Sequence, residues 1–155
     1  TRLISAGKPF KFCAKKEWNG DFTNLGAEDT GFTVADNTCT VAETGVYTIV
    51  IDIKGAKITI AKAEVFGIGD AFGSWDAGKY PFTINEDGTA TITTAAAGNL
   101  RMYTAVPGVD WWQAEYNIYD GKIQYRGEGG DQAAVSVAAN ATVTVNFNAG
   151  TGVIE

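Results

Sequence analysis

The sequence predicts an all-β protein built from antiparallel β-sandwich modules of the immunoglobulin-like class. Short segments with alternating or β-branched apolar residues recur along the chain, most clearly at residues 46–53 and 142–147. Turn-forming residues separate these segments, as at 54–57, 86–88 and 148–152. No segment shows convincing helical periodicity. In chain order, the other strand predictions are residues 10–13, 57–60, 65–69, 80–84, 90–93, 100–103, 123–125 and 134–137.

Composition excludes several classes of function. The 155 residues contain 12 basic and 18 acidic side chains, and no basic stripe suggests a nucleic-acid partner. No apolar stretch approaches the roughly 20 residues of a membrane helix, so we expect no transmembrane segment. Histidine, the commonest general base and metal ligand, is absent. No pair of carboxylates suggests a glycosidase. We therefore expect a protein that is not an enzyme and that needs no metal or cofactor.

The two cysteines leave two alternatives open. Cys13 and Cys39 both lie in strand-like segments. A disulfide between them would close a loop of about 25 residues. Alternatively, both are buried free thiols that pack as small hydrophobic groups.

An internal repeat predicts the domain organisation. The aligned pairs of segments are 6–12 with 97–102, 36–41 with 130–135, and 48–53 with 142–147, and Trp18 falls opposite Trp111. Residues 64–155 then form one complete module. Residues 1–63 correspond to the C-terminal part of a first module whose first strands are missing. Either the chain was cut inside that module or another chain supplies the strands.

Three tryptophans lie in turns rich in Gly and Asp, namely Trp75, Trp111 and Trp112. An indole on a turn presents a flat apolar face to solvent, and the C–H face of a pyranose stacks on such a face. We expect Trp75 and Trp111 to form a platform for a glycan. Trp75 could instead plug the end of the sandwich. On an extended backbone Trp111 and Trp112 would point to opposite sides, so that one packs inward.

Residues 65–76 (V-F-G-I-G-D-A-F-G-S-W-D), 97–102 (A-G-N-L-R-M), the Trp111 loop and the V-T-V-N-F strand resemble the starch-binding modules of the SusE and SusF outer-membrane lipoproteins. The likeness covers residues 64–155, and residues 1–63 resemble the back of a preceding module. It implies non-catalytic binding of starch-like α-glucan at a Gram-negative cell surface by a lipid-anchored protein. The implied partners are the glycan and other proteins of an outer-membrane uptake complex.

The resemblance also implies site residues. In that family two aromatic side chains form a curved platform for helical amylose, and Arg or Lys side chains beside it bind the glucose O2 and O3 hydroxyls. The positions that match here are Trp75, Arg101, Trp111 or its neighbour Trp112, and Arg126 with its neighbour Tyr125. An ordinary solvated role for Arg101, Arg126 and Tyr125 remains the alternative. In the first unit Lys11 and Trp18 match half a site at best.

Two other functions remain open. The module could be a structural or adhesin-type domain whose aromatic residues contact protein, or it could bind a different glycan. Two roughly parallel exposed indoles with an Arg between them would favour sugar, whereas a flat cluster with an apolar rim would favour protein. The acidic residues of the turns (Asp70, Asp76, Asp110, Glu115 and Asp120) are expected to serve turn formation and solubility.

Overall fold

The computed structural model describes residues 1–17, 19–127 and 129–155, which include two compact units, Arg2–Lys62 and Ala63–Glu155. Within the described residues every regular element is a β-strand, apart from two short 3-10 turns. In the described part of the chain the ladders between strands are antiparallel, with one isolated parallel bridge between Thr30 and Thr59, and the predicted all-β sandwich class is confirmed. No helix in the described part of the chain is both long enough and apolar enough to cross a membrane.

The first unit is a small antiparallel assembly. Its strands are β1 (Arg2–Ile4), β2 (Phe12–Cys13), β3 (Asp21–Phe22), β4 (Thr33–Ala35), β5 (Thr38–Thr40), β6 (Gly45–Asp52) and β7 (Lys57–Lys62). In the three-stranded sheet β1 pairs with β6, which forms a long hairpin with β7. The pairs β2–β3 and β4–β5 form two separate two-stranded sheets. The turn expected at residues 54–57 connects β6 and β7, the two longest strands of this unit. Its last residue, Lys57, is the first residue of β7.

The core of the first unit is aromatic and contains one of the two cysteines. The Phe12 ring stacks on Phe22 at a centroid distance of 5.6 Å. Cys39 is fully buried beside them, and its Sγ donates to the Thr23 carbonyl at 3.1 Å. Both cysteines are free thiols, and Cys13 is exposed. The structure therefore contains no Cys13–Cys39 disulfide, and the alternative of two buried thiols is wrong for Cys13.

The second unit contains a nine-stranded antiparallel sheet. Its strands are β8 (Val65–Gly67), β9 (Tyr80–Pro81), β10 (Thr83–Ile84), β11 (Thr89–Thr93), β12 (Gly98–Asn99), β13 (Met102–Thr104), β14 (Glu115–Tyr119), β15 (Lys122–Tyr125), β16 (Ser136–Val137), β17 (Thr142–Asn146) and β18 (Thr151–Ile154). The sheet order is β10-β11-β17-β18-β15-β14-β13-β8-β9, and β12 and β16 pair separately. The edge strands β9 and β10 are consecutive in the chain, so the sheet curls back on itself.

Curling encloses a core between the two halves of this sheet. Val143 and Val145 of β17 are fully buried, as are Met102 of β13 and Tyr116 of β14. The Tyr116 ring meets the ring of Phe147 edge-on at 5.7 Å. Because side chains alternate along a strand, the neighbours of Tyr116 on β14 point to the opposite face of the sheet.

The turn of the hairpin β14–β15 determines which residues of these two strands pair. Asp120 and Gly121 have φ values of 50° and 73°, the left-handed pair that a type I′ turn requires. Tyr119 therefore pairs with Lys122, and the Arg126 amide donates to the Glu115 carbonyl at 2.9 Å. Strand β14 was not predicted from the sequence.

One backbone hydrogen bond of the first unit has a counterpart in the second unit, but it joins residues other than those that the internal repeat aligned. The Phe10 amide donates to the Cys39 carbonyl, and the Leu100 amide donates to the Val135 carbonyl. Cys39 is thus the counterpart of Val135, whereas the sequence alignment paired it with Ala133. The predicted alignment of this segment is therefore shifted by two residues. Because side chains on a strand alternate with a period of two, a shift of two residues leaves the apolar pattern matched and cannot be detected from it.

Candidate functional site

A tight turn between β8 and β9 presents the indole of Trp75. Gly69 has φ of 88° and donates its amide to the Ser74 carbonyl at 2.7 Å, closing the loop. A Cβ on Gly69 would lie 3.3 Å from the Trp75 ring, so a residue without a side chain lets the indole rest on the backbone. Phe72, inside the loop, is buried and anchors it. Trp75 itself is 56% exposed, which argues against a structural plug.

The second aromatic element is the 3-10 turn Trp111–Ala114. The Asp110 amide donates to Gln113 Oε1 at 3.2 Å, and the Gln113 amide donates to the Asp110 carbonyl at 3.0 Å. These reciprocal bonds satisfy the amides of Asp110 and Gln113 and hold the start of the turn. The expectation that Trp111 and Trp112 point to opposite sides is wrong, because their backbone is helical rather than extended. Both indoles are half-buried and line the same pocket.

Two arginines converge beside the indoles on one buried carboxylate. Glu115, 2% exposed, accepts from Arg101 Nη1 at 3.1 Å and from Arg126 Nη1 at 2.8 Å. Arg101 comes from the short connection between β12 and β13, where its flanking residues Leu100 and Met102 are buried, and Arg126 follows β15. Glu115 is therefore a structural anchor for both cations, and its assignment to turn formation and solubility is wrong.

Asp131 closes a ring of four charged groups from the solvent side. Its Oδ2 lies 2.9 Å from Arg101 Nη2, its Oδ1 lies 2.9 Å from Arg126 Nη1, and its side chain is 64% exposed. The hydrogen bond from Arg101 lowers the pKa of the Asp131 carboxyl. The same bond, helped by the Glu115 charge and opposed by burial, raises the pKa of Arg101. Both shifts favour the charged forms of Arg101 and Asp131 at neutral pH.

These elements form a shallow open pocket of about 420 Å³. The ring centroids of Trp75 and Trp111 are 6.1 Å apart and their planes are inclined by 54°. The Arg101 guanidinium carbon lies 5.7 Å from the Trp75 centroid and 5.9 Å from that of Trp111, and Arg126 lies 5.2 Å from Trp112. The expected Arg between two indoles is present, but the roughly parallel faces are not. The described residues that line the pocket are Trp75, Arg101, Trp111, Trp112, Arg126 and Asp131.

Two predicted site residues that the structure describes, Tyr125 and Lys11, do not line this pocket. Tyr125 is opposite Tyr116 in the ladder, and its ring packs on Tyr116, on the sheet face away from Glu115. In the first unit Lys11 is held by Asp21 at 2.6 Å. Trp18, the aromatic partner proposed for Lys11, lies outside the described residues.

Glu115 and Asp131 belong to this candidate site but were not predicted from the sequence. The signal for Glu115 was present in Asp120-Gly121, because a two-residue Asp-Gly turn sets the hairpin register and places residue 115 opposite residue 126. Asp131 follows a Gly-rich loop, and no local pattern indicates where such a loop returns.

Known proteins resemble this chain in both sequence and structure. The family model described as "SusF/SusE starch specific CBMs" matches residues 64–153. The outer membrane protein SusF of Bacteroides thetaiotaomicron is 31% identical over 170 residues, which cover 98% of this chain and 35% of that protein. The crystal structure of SusF from Bacteroides thetaiotaomicron superposes with a TM-score of 0.77 at 29% identity, covering 99% of this chain and 42% of that one.

The chain thus spans about a third of the length of its curated relative. The family is one of carbohydrate-binding modules and not of enzymes, which confirms the expectation that the chain is non-catalytic. Together, the family match and the identity across nearly the whole chain show that this protein belongs to the SusF/SusE family of starch-specific carbohydrate-binding modules.

Proposed function

We propose that residues 64–155 bind starch-like α-glucan on a platform formed by Trp75 and Trp111, with the two arginines donating to sugar hydroxyls. The observation that carries the proposal is the pair of indoles with centroids 6.1 Å apart, Trp75 exposed and Trp111 half-buried, with the Arg101 guanidinium carbon less than 6 Å from both ring centroids. Nucleobases stacked on aromatic side chains contribute about 1–3 kcal/mol each, and by analogy we expect a similar contribution from each stacked sugar ring. A guanidinium presents its donors in a fixed fork that suits two adjacent hydroxyls.

The inclination of the rings supports a helical glucan over a flat one. Successive glucose units of an α-1,4-glucan turn around a helix, so two units can each lie flat against one of two inclined indoles. A ribbon-like β-1,4-glucan keeps its rings close to one plane and can lie flat on only one of them. The 54° between Trp75 and Trp111 therefore favours amylose-like chains.

The charged rim does not favour the alternative of a protein-contact module. Such contacts centre on aromatic residues with an apolar, desolvated surround. Here Arg101, Arg126 and Asp131 border the indoles.

For the whole protein we propose a role at the outer membrane of a Gram-negative bacterium, lipid-anchored at the cell surface, in support of glycan uptake with other proteins of the uptake complex. The support is the relative named outer membrane protein SusF, of which this chain matches 35%.

Calorimetric titration with maltoheptaose and cellohexaose tests the binding site. We expect saturable binding of maltoheptaose only, weakened about tenfold or more by either Trp75→Ala or Trp111→Ala. Tyr125→Ala is the matched control, because Tyr125 is 58% exposed, close to the 56% of Trp75, but lies outside the pocket. Binding that survives both tryptophan substitutions, with the fold intact by circular dichroism, would place the site elsewhere.

A further inference from the structure

We infer that Asp131 is a specificity-determining residue that restricts the pocket to neutral glycans. This inference rests on the proposed function, because it concerns the ligand of the same site. The positive charges of Arg101 and Arg126, which line the pocket, are matched by two negative charges, that of Asp131 in the lining and that of the buried Glu115 behind it. A basic cluster of this kind would otherwise attract acidic polysaccharides.

Glu115 and Asp131 lie on opposite sides of the guanidiniums and therefore affect a bound ligand differently. Glu115 is 2% exposed and lies behind the guanidiniums, where it orients them without facing a ligand. Asp131 is 64% exposed and bridges the same two guanidiniums from the solvent side. It occupies the approach that a carboxylate or phosphate of an acidic sugar would take.

The position of Asp131 is reinforced by its neighbours. Gln132 Nε2 donates to the Gln124 carbonyl at 2.8 Å, and Tyr119 Oη donates to the Ala133 carbonyl at 2.6 Å. These bonds tie the segment that follows Asp131 to strands β14 and β15, which also position Glu115 and Arg126. The carboxylate is thus built into the site.

A neutral sugar is compatible with this arrangement and an anionic one is not. Each guanidinium has five N–H donors, so Arg101 and Arg126 can hold the carboxylates and still donate to hydroxyls. A hydroxyl can also donate to Asp131. An acidic group would instead compete with Asp131 for the arginines and be repelled by it, and like charges placed together at an interface are strongly unfavourable.

The test compares maltoheptaose with maltoheptaose whose primary hydroxyls have been oxidised to carboxylates, which leaves every O2 and O3 in place. Wild type should bind the neutral ligand, with an affinity insensitive to salt, and should bind the acidic one at least about tenfold more weakly. Asp131→Asn keeps a hydrogen-bond acceptor but removes the charge. It should lower the ratio of the affinities for the neutral and the acidic ligand about tenfold at low salt.

Asp120→Asn is the matched control. It removes one negative charge from the exposed turn of the β14–β15 hairpin, where Asn tolerates the left-handed backbone, and it should leave both affinities unchanged. Equal binding of both ligands by wild type, or no gain of acidic binding relative to neutral binding in Asp131→Asn, would overturn the inference. An equal loss of affinity for both ligands in Asp131→Asn, with their ratio unchanged, would also overturn it. If wild type binds neither ligand, the proposed α-glucan function fails and takes the inference with it.

Discussion

The Glu115 carboxylate lies 2.8 Å from Arg126 Nη1 and is almost completely buried. The two residues face each other across the β14–β15 hairpin, one residue beyond the last regular pair of the ladder. A buried charge is tolerated in a protein when it is paired and hydrogen-bonded, and Arg101 completes the pairing at 3.1 Å. The buried Glu115 side chain therefore positions both guanidiniums that lie beside the indoles.

Glu115→Gln is expected to destabilise the second unit and to weaken glycan binding. The amide places an NH₂ group against a guanidinium and removes the charge that compensates two cations. Breaking buried ion pairs typically costs 3–5 kcal/mol, and because Arg101 and Arg126 keep some solvent exposure and Asp131, we expect about 2–3 kcal/mol. Urea unfolding measures the loss of stability. The exposed Glu86→Gln should change neither property, and a stable Glu115→Gln variant with normal binding would contradict the anchoring role.

Gly69→Ala is expected to impair binding more than its effect on stability explains. Its Cβ would press on the Trp75 ring at 3.3 Å, on a backbone with φ of 88°. Gly73 has φ of 73° with nothing near its absent Cβ, so Gly73→Ala introduces similar backbone strain without touching the indole. Both variants should lose about 1–2 kcal/mol of stability, measured by denaturant unfolding. Only Gly69→Ala should lose maltoheptaose affinity, and equal losses in both would refute the role of this close approach.

Asp29 is expected to give the first unit an acid-sensitive stability. Burial alone would raise the pKa of its carboxyl, but the amides of Leu25, Ile58 and Gly26 outweigh burial and lower the pKa below 3.8. Because the pKa is lower in the folded state, the stabilisation is complete above the unfolded pKa and disappears as pH falls through the folded value.

Thermal unfolding between neutral pH and pH values below about 4 checks this dependence. Asp29→Asn should lose about 2 kcal/mol at neutral pH and show a shallower decline in acid. Asp36→Asn, an exposed change in the same unit, should retain the wild-type profile. An unchanged acid profile in Asp29→Asn would show that other groups cause the decline.

The two thiols are expected to react at different rates. Cys13 is exposed, whereas Cys39 is buried and its pKa is raised by burial and then by the nearby Asp29 charge. Since the thiolate is the reactive form, a thiol reagent should modify one cysteine quickly in the native protein and the second only after unfolding. Cys13→Ser should remove the fast phase, and a fast phase that persists in this variant would show that Cys39 opens readily.

Much of the site could be predicted where a local motif forms it. The G-D-A-F-G-S-W segment forms its own loop, in which Gly69 and Gly73 adopt left-handed backbone and Phe72 is buried, so the exposure of Trp75 depends on nearby residues. Trp111 and Trp112 were identified as candidates, but their relative directions were not, because Asp110 and Gln113 convert an apparently extended segment into a helical turn.

What the sequence alone determined is the all-β class, the strand segments with clear alternation, the aromatic and basic residues of the site and the family to which they point. Only the tertiary structure decided which residues meet. Glu115, Arg101, Arg126 and Asp131 come from separate strands and loops, and hairpin register and sheet curvature bring each arginine within 3.1 Å of both carboxylates. The Glu115–Arg126 pair has a local signal in the Asp120-Gly121 turn, but the contacts of Arg101 and Asp131 depend on long-range closure of the chain, which leaves no trace in the spacing of neighbouring residues. The same physical reason explains Tyr125, adjacent to Arg126 in sequence but on the other face of the sheet, because successive side chains on a strand point in opposite directions.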